Sequence, residues 1–146
     1  MKRSRHQAGA TAVEFALVLM LLLTFLLGVV DFSRMLFTWN AVNEAARAGA
    51  RYAVVCHDGI SGTGAVLSRM QALVPSIESV DLEWAPSGCN STTCERVTLT
   101  IPDLQFRWIS PIAGIGGIDL LAMPTFRTTL VRESMRQDVN SGAICS

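Results

Sequence analysis

From Phe15 to Val30 the chain carries no charged side chain, and counting back to Ala10 gives 21 residues interrupted only by Glu14. At about 1.5 Å per residue a helix of that length is roughly 31 Å long, which matches the hydrocarbon thickness of a bilayer. A spanning segment has to satisfy its own backbone polar groups, and for a single segment only a helix does so. The run therefore fixes the first element. The rest of the 146 residues leaves room for about one small domain.

The flanks give the run a direction. Lys2, Arg3 and Arg5 precede it and Asp31 follows directly, so the positive-inside tendency predicts a single pass with the N-terminus cytoplasmic and the remainder exported. The formal net charge is zero, from 12 basic and 12 acidic residues. Without residues 1–9, which hold three of the cations and no acid, the balance is 9 − 12 = −3. A slightly acidic exported portion points away from nucleic acid as a partner. A conventional cleaved signal needs a small-residue cleavage site just past the apolar run. Here the run is succeeded by "DFSRMLFTWN", and the first A-x-A pattern beyond it, Ala46-Arg47-Ala48, comes about sixteen residues too late.

The other end of the run is more specific. "MKRSRHQAG" is a short basic stretch ending in Gly9, and "ATAVEF" then opens the apolar helix with an acid at its fifth position, Glu14, and an aromatic at its sixth, Phe15. This resembles the processing site of type IV prepilins, and more closely the TadE-like family of minor pseudopilins of the Tad (tight adherence) type IVb pilus system. "GATAVEFALVL", the leucine run ending in Gly28, "VVDFSRMLF" and "NEAARAGARYA" carry the resemblance over roughly residues 9–53. One departure is Met20, where many relatives have proline, which leaves the helix here straighter.

The resemblance implies removal of residues 1–9 by a prepilin leader peptidase that cuts after Gly9 and leaves Ala10 as the new N-terminus. It also implies a structural role in assembling a Tad/Flp-type pilus used for adherence. The implied partners are other pilins and pseudopilins, the Tad assembly machinery, the peptidase and the lipid bilayer. The implied location is the bacterial inner membrane, with the C-terminal domain periplasmic. An uncleaved, membrane-tethered periplasmic binding domain that never enters a filament is the alternative.

Glu14 has a physical account of its own. A carboxylate costs up to about 3 kcal/mol at the centre of a membrane helix and less near the interface. Cleavage after Gly9 would create an α-amino group on Ala10, on the same helix face as Glu14 and about 6 Å away, as a counter-charge. The amine of a neighbouring subunit serves equally, and the resemblance implies the neighbour. The simpler reading leaves Glu14 solvated among the headgroups.

Helical periodicity continues past the apolar run. Between Asp31 and Val55 there is no proline and one glycine, Gly49, while Phe32, Met35, Leu36, Trp39, Val42 and Ala46 recur at helical spacing. A continuous helix over about 11–55 would be roughly 67 Å long. Ala45, Gly49 and Ala53 form one small-residue stripe and Ala46 and Ala50 another. Such stripes, like Gly28 in the apolar run, let helix backbones approach closely. Filament neighbours and the chain's own domain are both suitable occupants. Arg47 and Arg51 read as a solvated face.

"CHDGISGTG" then breaks the helix, and lacks the strand and Lys-Ser/Thr of a P-loop. "AVLSRMQALV" predicts a short amphipathic helix with Val66, Leu67, Met70, Leu73 and Val74 inward, closed by Pro75. "ESVDLEW" and "ERVTLTI" alternate as strands, "FRTTLVRES" is β-prone, and "APSGCNSTTC" supplies hairpin chemistry between the first two. "RWISPIAGIGGIDLLAMP" is expected as a long apolar loop over the chain's own sheet, a partner or the membrane. The expected architecture is α+β: a long N-terminal rod, a short helix and a small three-stranded antiparallel sheet. The expected division is residues 1–9 leader, 10–30 membrane half of the rod, 31–55 periplasmic half, and 56–146 a disulfide-stapled domain.

Four cysteines in an exported domain predict disulfides, and the sequence permits three pairings. Cys89 with Cys94 would close the hairpin loop, and Cys56 with Cys145 would tie the C-terminus to the end of the rod; these are the favoured pairs. Neither a metal nor a cofactor is expected. His6 and His57 are the only histidines, and the cysteines lack paired C-x-x-C spacing. Cys56-His57-Asp58 does not make a catalytic group, because adjacent residues diverge and a disulfide would consume the thiol. Asp81 and Glu83 read as solvated strand positions, and no catalytic site is expected. The "NST" at Asn90 matches a glycosylation pattern by coincidence.

Overall fold

A computed structural model describes residues 7–56, 62–90, 93–110, 117, 120–132 and 145. The elements run α1 (Gln7–Val55), α2 (Thr63–Gln71), β1 (Asp81–Ala85), β2 (Arg96–Ile101), β3 (Gln105–Arg107), β4 (Leu120–Ala122) and β5 (Phe126–Val131). β1, β2 and β5 form a three-stranded antiparallel sheet in the order β1-β2-β5, and β3 and β4 form a second, two-stranded sheet. The α+β class, the long apolar helix, the short helix and the three-stranded sheet agree with the sequence. The second sheet is new.

The chain divides into two compact units, Met1–Leu36 with Phe106–Leu121, and Phe37–Gln105 with Ala122–Ser146. In the second unit β2 is the central strand. Its register places Leu82 opposite Leu99, Trp84 opposite Val97, and Phe126 opposite Ile101. With side chains alternating across the sheet, Val97, Leu99 and Ile101 are buried on one face with Phe126. Glu83, Arg96, Thr98, Arg127 and Thr129 line a groove of about 750 Å³ on the other. There the Thr98 and Thr129 hydroxyls lie 3.0 Å apart, and Arg127 reaches Glu83 at 3.4 Å.

The buried face receives the outer half of α1 together with α2. Val42, Ala45, Ala46, Ala50, Ala53 and Val54 are buried, as are Val66 and Met70 of α2. Gly49 is the point of closest approach. A Cβ built there would lie 2.5 Å from Met70 Sδ, 2.8 Å from Met70 Cγ and 3.1 Å from Leu99 Cδ1, so only hydrogen fits. Helix α2 ends at Gln71, one turn earlier than the periodicity predicts. Val74 is still buried, but Leu73 is 59% exposed.

The hairpin loop between β1 and β2 turns on Gly88, whose φ of +75° favours a residue without Cβ. Asn90 organises the rest of the loop: its side-chain oxygen accepts the Thr93 N–H at 3.0 Å and its carbonyl accepts the Cys94 N–H at 3.0 Å. That is turn chemistry of the kind asparagine supplies.

The stretch expected as one long loop is entered by β3, whose last residue Arg107 is its first, and contains β4 near its far end. Phe106 is buried between exposed Gln105 and Arg107 in β3, and the Met123 N–H donates to the Leu104 carbonyl at 2.8 Å beyond the paired strands. Three-residue strands hold too few positions for alternation to show in sequence. Residues 111–116, 118 and 119 of this stretch lie outside the described residues.

Candidate functional site

Helix α1 starts at Gln7, so Gly9 and Ala10 occupy its first turn. Both are exposed, and a Cβ at Gly9 would meet nothing within 4 Å. Glu14 lies one turn beyond Ala10 and is exposed, as is Phe15, and Glu14 makes no ion pair with another described residue. The rest of the expected leader, residues 1–6, lies outside the described residues.

The apolar run presents its side chains outward all round, Leu21, Phe25 and Val30 among them. This helix is long and apolar enough to cross a membrane, and none of its most apolar window is buried within the chain. Its hydroxyls are satisfied internally: Thr24 donates to the Met20 carbonyl and Ser33 to the Val29 carbonyl, each at 2.8 Å. That is the arrangement an apolar medium requires. Gly28 opens a shallow apolar groove flanked by Leu21, Thr24, Phe25, Val29 and Phe32.

Asp31 ends the run and is the most elaborately held side chain in its unit. It is 1% exposed. Its carboxylate accepts the Ser110 N–H at 2.7 Å, the Ile109 N–H at 3.1 and 3.2 Å, and Arg34 Nη1 at 3.1 Å. Burial pushes the carboxyl up. The Ser110 N–H and nearby hydroxyl, the Ile109 N–H and Arg34 outweigh it and hold the group below its ordinary value. The Arg34 guanidinium also sits 5.4 Å from the Phe106 ring centre, and Phe106 packs edge-on against Trp108 at 5.6 Å. In the sequence Asp31 reads only as a charge flanking the run. A carboxylate abutting sixteen uncharged residues was the available signal of a partner.

A comparison with known families finds a likeness for the N-terminal segment. Residues 9–51 fit the family model for TadE-like proteins. Over that segment the chain is similar to TadE-like proteins. The matched segment takes in Gly9, Glu14, Gly28, Asp31 and most of the small-residue stripes. No curated protein matches the chain, and no solved structure does.

The remaining sequence-predicted positions fall in the second unit. Ala45, Ala46, Gly49, Ala50 and Ala53 are buried in the chain's own domain, so this face of the TadE-like helix is already occupied. Arg47 is exposed and pairs with Glu44 at 2.9 Å. Cys56 is bonded to Cys145 and Cys89 to Cys94. The Tyr52 hydroxyl donates to the Cys145 carbonyl at 3.4 Å. With its sulfur in a disulfide, Cys56 has no thiol to act as a nucleophile; His57 and Asp58 lie outside the described residues.

Proposed function

We propose that this chain is a TadE-like minor pseudopilin with a structural, non-catalytic role in assembling a Tad-type pilus. Leader peptidase cuts after Gly9, and the membrane half of α1, residues 10–30, then holds the mature chain in the inner membrane with residues 31–146 periplasmic. The observation that carries this reading is the family match over residues 9–51, which begins at Gly9 and includes Glu14 five positions later. The exposure of Gly9 and Ala10 supports it, because a peptidase needs access to the bond between them. Once that bond is cut, the Ala10 amine of the same or a neighbouring subunit becomes the counter-charge for Glu14.

The test is N-terminal sequencing of the protein purified from its native membrane. A chain beginning at Ala10 is expected. An intact Met1 in cells with an active prepilin peptidase would overturn the reading and favour a tethered domain outside any filament. One observation speaks for that second reading: the stripe Ala45–Gly49–Ala53, suited to packing against neighbours, is covered by the chain's own domain.

A further inference from the structure

We propose that Trp108 and Ile109, held on helix α1 by Asp31, form a foot that rests in the headgroup region of the bilayer face from which the helix emerges. The inference deepens the membrane-anchor reading and rests on it.

Three observations within the first unit carry it. Asp31 stands one residue past the 21-residue run beginning at Ala10, and a helix rising about 1.5 Å per residue brings it to the edge of a hydrocarbon layer roughly 30 Å thick. Residues 109 and 110 are fixed at that level, because both of their N–H groups donate to the Asp31 carboxylate. Two backbone donors and Arg34 also let a charge sit at the hydrocarbon edge without drawing the helix outward.

The second observation is chemical. Ile109 is pinned to Asp31 through its backbone, yet its side chain is 65% exposed, and Phe32 and Leu36, which follow Asp31 on α1, are exposed as well. Trp108 is half-buried against Phe106, whose ring carries the Arg34 guanidinium. A tryptophan edge, an arginine and an exposed isoleucine make up the composition favoured at a membrane–water interface, where amphipathic rings sit among headgroups and aliphatic groups enter the acyl boundary.

The third is continuity. The patch adjoins the outward-facing apolar surface of residues 15–30, whose solvent is lipid on the anchor reading. The same lipid reaches Ile109 with no further partner. A foot of this kind sets the depth of the helix and resists its sliding toward the cytoplasm.

The test uses the full-length chain with Trp39→Phe and Trp84→Phe, so that Trp108 is the sole tryptophan. It is reconstituted in phosphatidylcholine vesicles with or without phosphatidylcholine brominated near the top or near the end of the acyl chain. Top-brominated lipid is expected to quench Trp108 more strongly than end-brominated lipid, and aqueous iodide to quench it weakly. Asp31→Asn, and independently Ile109→Asp at an exposed position that cannot unfold the core, should each lose most of the top-bromine quenching while the chain stays resistant to carbonate extraction. Trp108 quenched by iodide and indifferent to both bromolipids, in a carbonate-resistant chain, would overturn the foot and leave the anchor standing. So would protection from iodide and bromolipid alike, which means that protein covers the patch. A chain released by carbonate would overturn the anchor and the foot together.

Discussion

Gly49 offers the sharpest quantitative test of how the second unit packs. Replacing it with alanine places a methyl 2.5 Å from Met70 Sδ and 2.8 Å from Met70 Cγ, well inside van der Waals contact. Met70 is fully buried, so its side chain has nowhere open to swing, and overpacking of this kind costs about 1–3 kcal/mol. Alanine recovers about 1 kcal/mol of helix propensity over glycine. The expected net loss for Gly49→Ala is therefore about 1 kcal/mol, or roughly 4–8 °C in melting temperature for a domain of this size. Met70→Ala alone leaves a cavity and should cost about 2–5 kcal/mol.

In the double variant the new methyl at 49 enters space vacated by Met70. The pair should therefore be less destabilised than the sum of the singles by about 1–2 kcal/mol. The assay is thermal and urea unfolding of the full chain in mild detergent, monitored by far-UV circular dichroism, with the parent and the three variants forming a double-mutant cycle. Strict additivity, or a Gly49→Ala protein more stable than the parent, would refute the close approach of α1, α2 and β2 at this point.

Other expectations concern the charges and the staples. Because Asp31 is held below its ordinary value of 3.8, the unfolded state binds its proton more readily. The stabilisation it gives is complete above the ordinary value and fades as pH falls through the lower folded value. Trp108 emission in the single-tryptophan chain should be flat from neutral pH to about pH 5 and change only below pH 4. Glu14→Ala should leave membrane insertion intact and abolish pilus assembly, checked by carbonate extraction and by electron microscopy of cells. Normal piliation in that variant would remove the paired-charge role. Cys56→Ser with Cys145→Ser opens a loop with a sequence separation of 89 and should cost a little over ~4 kcal/mol on the chain-entropy model. Breaking Cys89–Cys94, separation 5, should cost only about 2 kcal/mol. Equal losses from the two would argue that strain rather than loop entropy sets their worth.

Much of this protein is written locally. The apolar run dictates a helix because apolar surroundings offer the backbone no other partners. The periodicity through Val42 and Ala46 carries that helix past the charge at Asp31, and the alternation of Val97, Leu99 and Ile101 marks the central strand. The Gly9–Glu14 spacing is also local, which is why the family resemblance is legible there and loose beyond Tyr52. Tertiary structure decided what joins residues far apart in the chain. Whether the stripe at Ala45, Gly49 and Ala53 faced a neighbour or its own domain depended on where Met70 and Leu99 came to rest. The β3–β4 pairing depended on bringing residues 105–107 to 120–122. Asp31 changed from a flanking charge to a buried acceptor only when the backbone of Ile109 and Ser110 reached it across 78 and 79 residues. Hydrophobic periodicity reports which face of an element is buried; it carries no information about which distant backbone group will satisfy a buried charge, because that is fixed by the geometry of chain closure.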